Sequence, residues 1–335
     1  MKISPYIEEL IEKARKLNKT IVLPEGEDER VLQAAHEAAV RKIAKLIVLG
    51  NVEEIKAYFD GQGWDLEGIE LLDPAKSPKL GEYAKLLYEL RKDKGMTEEE
   101  AAKTVLIPNY FGTLMIKAGD ADGMVSGANH STADTVRPAL QIIKSSRKDR
   151  VVSALFIMAA QNGKTYYLSD CAININPTAK ELVDIALSSA ESTIQFGDEP
   201  NIAMLSYSTY GSGKGEGADK VREATALAKE ALKAPEYAGK NIKLDGELQA
   251  DAALDAVVAK KKAPGSDVAG HANVLIFPNI EAGNIGYKLL QRLGGAEMYG
   301  PLLQGLNAPI NDLSRGCFAE DIVGVIAITV LQTQK

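Results

Sequence analysis

Cysteine is scarce in this 335-residue chain: its two copies, Cys171 and Cys317, stand far apart and form no CxxC spacing. That excludes a disulfide framework and a structural zinc centre, and it suits a reducing compartment. Three histidines leave little for chelation, so no metal site is expected. Long apolar runs are missing too, since neither residues 151–160 nor residues 322–330 approach the ~18 residues of a membrane span. Near the start, Glu8 and Glu9 fall where a signal peptide needs its apolar core, and a cytoplasmic protein with no membrane contact is expected. Positive charge is also short. A net charge of −7 argues against nucleic acid as a partner, because phosphate backbones select broad basic surfaces. An anionic small molecule stays open, since a few close arginines outweigh distant, screened charges. What is present, 45% hydrophobic and 25% charged residues, belongs to a soluble globular chain, and its length points to two domains.

In chain order, Ser4-Pro5 followed by Ile7, Leu10, Ile11 and Ala14 reads as a capped amphipathic helix. A strand at 20–23, a helix over about 28–42 and a buried strand at 45–50 make a β-α-β unit. A helix at 52–58 and a strand at 69–72 continue the alternation expected of a mostly parallel sheet flanked by helices. Residues 78–118 read as helical with breaks at Gly95 and Pro108, and carry a basic cluster around Arg91. That cluster suits a solvated helix end as well as a ligand arm. Residues 122–127 read as a strand leading into His130-Ser131-Thr132-Ala133-Asp134, where Ser131 and Asp134 are spaced as a capping box. A helix start after a strand, with free amides, hydroxyls and Arg137 nearby, is a natural anion site, although capping alone accounts for Ser131 and Asp134.

The polar stretch 144–150 is the best domain boundary in the first half. Beyond it, strands at 151–158 and 165–168 flank the hairpin signal Asn162-Gly163. A helix follows from Pro177 to about Thr193, then a strand at 201–206, further alternation to an apolar segment at 273–277, and a helix over 281–293. Between strand and helix, residues 206–217 are rich in glycine and hydroxyls, yet they match neither G-x-G-x-x-G nor the P-loop, because Gly213-Lys214 is followed by Gly215. Such a loop still offers hydroxyls and backbone amides to a phosphate, or serves as a flexible connector. Near the end, Asn311-Asp312-Leu313-Ser314-Arg315-Gly316-Cys317-Phe318-Ala319-Glu320-Asp321 combines hydroxyl, guanidinium, thiol and carboxylates. An arginine beside a serine suits a phosphate or a developing oxyanion, while Ser and Asp also cap helices. The apolar helix from Glu320 to Leu331 must be buried.

These stretches carry a family resemblance over essentially the whole chain. Leu23-Pro24-Glu25-Gly26 with Glu29-Arg30, residues 130–139, Asp170-Cys171-Ala172-Ile173-Asn174, Glu281 to Lys288 and Gln304 through Cys317 together resemble the phosphate acetyltransferase (phosphotransacetylase) family in its short form. The resemblance implies reversible acetyl transfer between acetyl phosphate and coenzyme A, with coenzyme A as a substrate and no tightly bound cofactor. It implies two α/β domains, each a mostly parallel sheet flanked by helices, with the active site in the interdomain cleft. The C-terminal helix returns to the first domain, giving domains of 1–149 plus 305–335 and 150–304, and the enzyme is expected to be a homodimer.

By the same resemblance, Arg91 and Arg137 match arginines associated with coenzyme A, and Arg315 matches the one facing the phosphoryl group. Ser314 matches the serine that stabilises the transition state, and Asp321 the aspartate that takes the thiol proton, so that thiolate attacks in a ternary complex. His130, Ser131, Thr132, Ser208, Thr209, Gly211, Ser212, Tyr287 and Lys288 are the further candidates for acetyl phosphate or phosphate. The loop departs from the family where Ser-Thr is commonly followed by Lys-Gly-Ser: here Tyr210 removes a positive charge. An unperturbed aspartate, with a pKa of about 3.9 against about 8.5 for a thiol, is a poor base and needs tuning. Three alternatives compete: a phosphate butyryltransferase with a larger acyl pocket, a non-catalytic ligand-binding relative, and a two-step route through Cys317 beside Arg315.

Overall fold

A computed structural model describes residues 3–147 and 150–334. The chain divides into two compact units, Met1–Ser146 with Leu306–Lys335, and Arg147–Gly305. In the first unit, α1 (Pro5–Ala14) starts where the Ser4 hydroxyl accepts the Ile7 N–H, and it buries Ile7, Leu10, Ile11 and Ala14. Then come β1 (Thr20–Leu23), α2 (Glu29–Val40), β2 (Lys45–Leu49), α3 (Val52–Gln62) and β3 (Ile69–Leu72). The segment that reads as broken helix resolves into α4 (Leu80–Arg91), α5 (Glu98–Thr104) and α6 (Pro108–Ala118), with Gly95 in the left-handed conformation closing the turn after α4. β4 (Gly123–Ser126) leads to α7 (Thr132–Pro138), after which the helix widens into a π-type turn over Ala139–Ile143.

The second unit opens with a hairpin of β5 (Ser153–Ala159) and β6 (Thr165–Ser169), antiparallel as the Asn162-Gly163 signal requires. It continues through α8 (Ala179–Phe196), β7 (Asn201–Leu205), α9 (Glu216–Ala231), β8 (Lys243–Leu248), α10 (Ala250–Leu254), α11 (Ala256–Lys262), β9 (Val274–Ile276), α12 (Ile280–Arg292) and β10 (Glu297–Gln304). The strands run in the order β10-β5-β6-β9-β7-β8, parallel from β6 onward and antiparallel at β10-β5-β6. Strand β10 is not apparent in the sequence because Gly300-Pro301 interrupts it; the ladder accommodates them with an irregularity between Tyr299 and Leu302.

The chain then returns to the first unit as β11 (Ile310–Asp312) and α13 (Ala319–Gln332). That unit's sheet has the order β3-β2-β1-β4-β11 and is parallel throughout. α13 buries Ile322, Val323, Val325, Ile326, Ile328 and Val330 against α1 and α2, as its missing polar face demands. Strand β11 is the larger surprise. Asn311 and Asp312, the polar residues that open the Ser-Arg stretch, are fully buried strand residues paired with Val125 and Ser126. No helix among the described residues is long and apolar enough to cross a membrane.

Candidate active site

In the first unit the chain leaves β1 toward β2 on one side and meets β4 on the other, so the order of strands reverses between β1 and β4. Open parallel sheets bind ligands beyond the carboxyl ends of strands at such a switch point. Three loops emerge there: 24–28 after β1, 127–131 after β4, and 313–318 after β11.

The first two are joined by Glu25, whose side chain is fully buried. Its Oε2 accepts the backbone N–H groups of Gly127 (2.9 Å) and Ala128 (3.0 Å), and its Oε1 those of Asn129 (2.9 Å) and His130 (2.8 Å). His130 Nδ1 also lies 2.9 Å from Oε1. The expectation of free amides in this loop is therefore corrected: its cradle of donors is filled by the protein's own carboxylate. Ser131 is likewise engaged within the protein, its N–H and hydroxyl both donating to Asp134 Oδ2 (3.1 and 2.7 Å) in a capping box at the surface.

Arg30 ties in the third loop. Its guanidinium pairs with Asp28 and donates to the carbonyl oxygens of Ala128 (2.7 Å), Arg315 (2.9 Å) and Cys317 (3.1 Å). Burial opposes ionisation of Asp28, but the contact with Arg30 outweighs it and holds the carboxyl below its usual range. Neither Glu25 nor Arg30 is assigned a role by sequence reasoning; the signal available was their place in the Leu23-Pro24-Glu25-Gly26 and Glu29-Arg30 motif.

The loop so anchored carries the catalytic candidates. Cys317 N–H donates to the Ser314 carbonyl (2.8 Å), closing a tight turn with Arg315 exposed at its crest. Asp321 opens α13, and its Oδ2 accepts the Phe318 N–H (2.8 Å), so the capping role is real whatever else the residue does. Cys317 is buried, and its thiol is pushed up to about 12, chiefly by burial and further by Asp321, Asp28 and Glu25, against an opposing pull from Arg30. A thiolate beside Arg315 is thus not the resting state.

The arginines separate by pairing. Arg15, Arg30, Arg41, Arg147, Arg150 and Arg222 each contact a carboxylate. Arg91, Arg137 and Arg315, together with Arg292, have none within ion-pair distance among the described residues. Arg91 Nε is buried with no hydrogen-bond partner. Arg91 and Arg137 come together at Tyr110, whose phenol is raised by burial while both guanidinium groups draw it down.

The remaining candidates lie in the second unit and are largely engaged. Ser208 Oγ (2.8 Å), the Gly211 N–H (2.7 Å) and Arg222 (3.0 Å) all donate to Glu247 Oε1. The Thr209 N–H donates to Ser212 Oγ (3.0 Å), and the Thr209 hydroxyl to Gln249 (3.3 Å). The hydroxyls and amides that seemed available in this loop are therefore internal fasteners. Tyr287 packs in the core, stacked on Phe156 at 4.3 Å, and Lys288 Nζ sits 4.9 Å over its ring.

A doubly wound α/β unit with unpaired arginines and a Ser-Arg turn near its switch point belongs to the class of proteins that handle small anionic substrates. The chain is a member of the phosphate acetyl/butaryl transferase family, whose sequence pattern it matches over residues 6–330. It is 52% identical to a phosphate acetyltransferase of Acetivibrio thermocellus, over 98% of both chains. It is 49% identical to the phosphate acetyltransferase of Bacillus subtilis, covering 96% of this chain and 97% of that one. The solved structure of a phosphotransacetylase from Streptococcus pyogenes superposes with a TM-score of 0.90 at 46% identity, over 99% of both chains.

Proposed function

We propose that this chain catalyses reversible acetyl transfer between acetyl phosphate and coenzyme A, giving acetyl-CoA and phosphate. The observation that carries the reading is the unpaired state of Arg91, Arg137 and Arg315, in a chain whose net charge is −7. Leaving these cations unneutralised makes sense where both substrates are anions. In this mechanism Arg91 and Arg137 hold the phosphates of coenzyme A and Arg315 faces the phosphoryl group. Asp321 takes the thiol proton, and the thiolate attacks the acetyl carbonyl. The Ser314 hydroxyl stabilises the oxyanion that forms. The carbon–oxygen bond to phosphate then breaks, and phosphate leaves with its electron pair and recovers the proton.

Burial of Cys317 as a thiol favours this direct route over an acyl-cysteine intermediate. Two buried, unbridged cysteines, Cys171 and Cys317, accord with a cytoplasmic setting. A homodimer is supported by α12 and its C-cap, where Ile285 and Leu289 on the helix and Leu293 just past its end follow helical spacing and all stand exposed, Leu293 at 82%. The decisive assay is thioester formation from acetyl phosphate and coenzyme A by the purified protein, run beside butyryl phosphate. Faster turnover of butyryl phosphate overturns the acetyl assignment, and no thioester at high protein concentration overturns the enzymatic one.

A further inference from the structure

The buried side-chain atoms left without hydrogen-bond partners among the described residues are few, and all lie in the first unit: Arg91 Nε, Asn109 Nδ2, Thr135 Oγ1 and both carboxyl oxygens of Asp312. Buried polar groups are nearly always paired, so orphans that gather in one region need a reason. Three of the four residues line one layer. Asp312 ends β11, beside its register partner Ser126 on β4, whose hydroxyl donates to Asn109 Oδ1 (3.3 Å) on α6. Thr135 projects from α7, which packs on β11. Asp312 also fills the space beside Gly127: a Cβ on that glycine would stand 2.2 Å from Asp312 Oδ1, and its φ of +107° already favours glycine.

Burial raises the Asp312 carboxyl to about 7, with a further push from Glu25. The hydroxyls of Thr132 and Thr135 and the Leu313 N–H lie close enough to draw it back down, yet none of them meets the geometry of a hydrogen bond. A lone acceptor and a lone hydroxyl therefore face each other just out of reach, one on the strand that leads into Ser314-Arg315, the other on the helix that bears Arg137. Orphans matched in this way are satisfied by a small shift of α7 toward β11.

We propose that Asp312 is a positioning residue whose carboxylate latches α7, by accepting hydrogen bonds from Thr132 and Thr135, and so seats Arg137 for coenzyme A. The latch rests on the acetyl-transfer reading above only in naming coenzyme A as the ligand. An ionised Asp312 accepts from both hydroxyls, so the latch tightens as pH rises through neutrality. Glu25, from the loop after β1, is a charged group that bears on it; α7, packed on β11, also carries Asp134 and Arg137, while the polar neighbours Asn109, Thr132, Thr135 and Ser126 are neutral.

The test uses the full-length chain with Asp312→Asn, Thr135→Val, Thr135→Ser and the Asp312→Asn/Thr135→Val double variant. It reads coenzyme A affinity by calorimetry, and KM and kcat across pH. Asp312→Asn and Thr135→Val are each expected to weaken coenzyme A binding by about tenfold, the size of one hydrogen bond to a charged group. kcat changes less, the double variant is no worse than either single one, and Thr135→Ser restores wild-type affinity. The wild-type KM for coenzyme A falls with rising pH near neutrality, and Asp312→Asn flattens that fall. Affinities unchanged in both single variants, additive losses, or an unaltered pH profile overturn the latch alone. A wild-type protein that binds no coenzyme A overturns the functional reading and the latch with it.

Discussion

Replacing Glu25 with glutamine tests the foundation of the site with a change of one atom. The carboxylate receives four backbone N–H groups, two on each oxygen, at 2.8 to 3.0 Å. An amide side chain offers one acceptor, so whichever way it turns, its NH2 meets two N–H donors head on. Two hydrogen bonds to a charged group, at ~1.5–3 kcal/mol each, are lost, so Glu25→Gln costs about 3–6 kcal/mol, with the two buried donors left unsatisfied adding to it. Because the chain has two units, a single unfolding free energy is a poor measure. Hydrogen exchange at residues 127–130 reads the opening of this loop directly. We expect those amides to lose protection by several orders of magnitude while amides of the β5–β6 hairpin keep theirs, and turnover to fall because the loop supports α7 and Arg137. Protection lowered by less than about tenfold, equivalent to ~1.4 kcal/mol, would refute the reasoning that Glu25 organises the site.

Asp312 also makes a prediction about stability. Burial raises its carboxyl in the folded chain to about 7, well above the ordinary carboxylate range, so the native state binds the proton more tightly than the unfolded chain. The resulting destabilisation is absent below about pH 4, grows between about 4 and 7, and is complete above. Asp312→Asn should therefore stabilise the first unit at pH 8 by a few kcal/mol and leave it nearly unchanged at pH 4; equal effects at both, read by hydrogen exchange of amides in that unit's strands, would contradict the burial argument. Cys317→Ala should keep most of the turnover, and native Cys317 should alkylate with iodoacetamide far more slowly at pH 8 than in urea. Near-total loss of activity together with a trapped acyl-cysteine would reverse that view. Leu289→Glu with Leu293→Glu should shift the mass in light scattering from dimer to monomer without loss of helical signal, and an unchanged mass would remove α12 from the interface.

Much of this architecture is legible from periodicity. The apolar runs of β1 and β2, the Ser4 cap and the all-apolar α13 each announce themselves, because their burial follows from local pattern alone. Strands β10 and β11 do not. Pro301 and Gly300 contradict strand propensity, and Asn and Asp at 311–312 are residues that strands disfavour. The site was legible as a list of residues more than as an arrangement. Hydroxyls at Ser131 and Ser208 advertise ligand binding, but their partners, Asp134 and Glu247, show them to be fasteners. For Ser208 that partner is 39 residues away, a distance no local motif reveals. Glu25 was hidden for the opposite reason: a glutamate in a turn reads as surface, and only the four backbone N–H donors around it show that the loop is built on its carboxyl oxygens.

The return of the chain to its first unit has a consequence for synthesis. A ribosome releases residues in order, and domains generally fold as units as they emerge. Residues up to 146 lack β11, the strand that pairs with β4, and α13, which covers α1 and α2. Until residues 306–335 follow, that half exposes an unpaired strand and an uncovered apolar face. The second unit, contiguous from Arg147 to Gly305, has everything it needs earlier. The unit begun before Arg147 is thus completed only after Gly305, and Ser314, Arg315 and Asp321, the groups proposed above for catalysis, arrive with the closing piece, so the arrival of those side chains and the completion of the unit become one event.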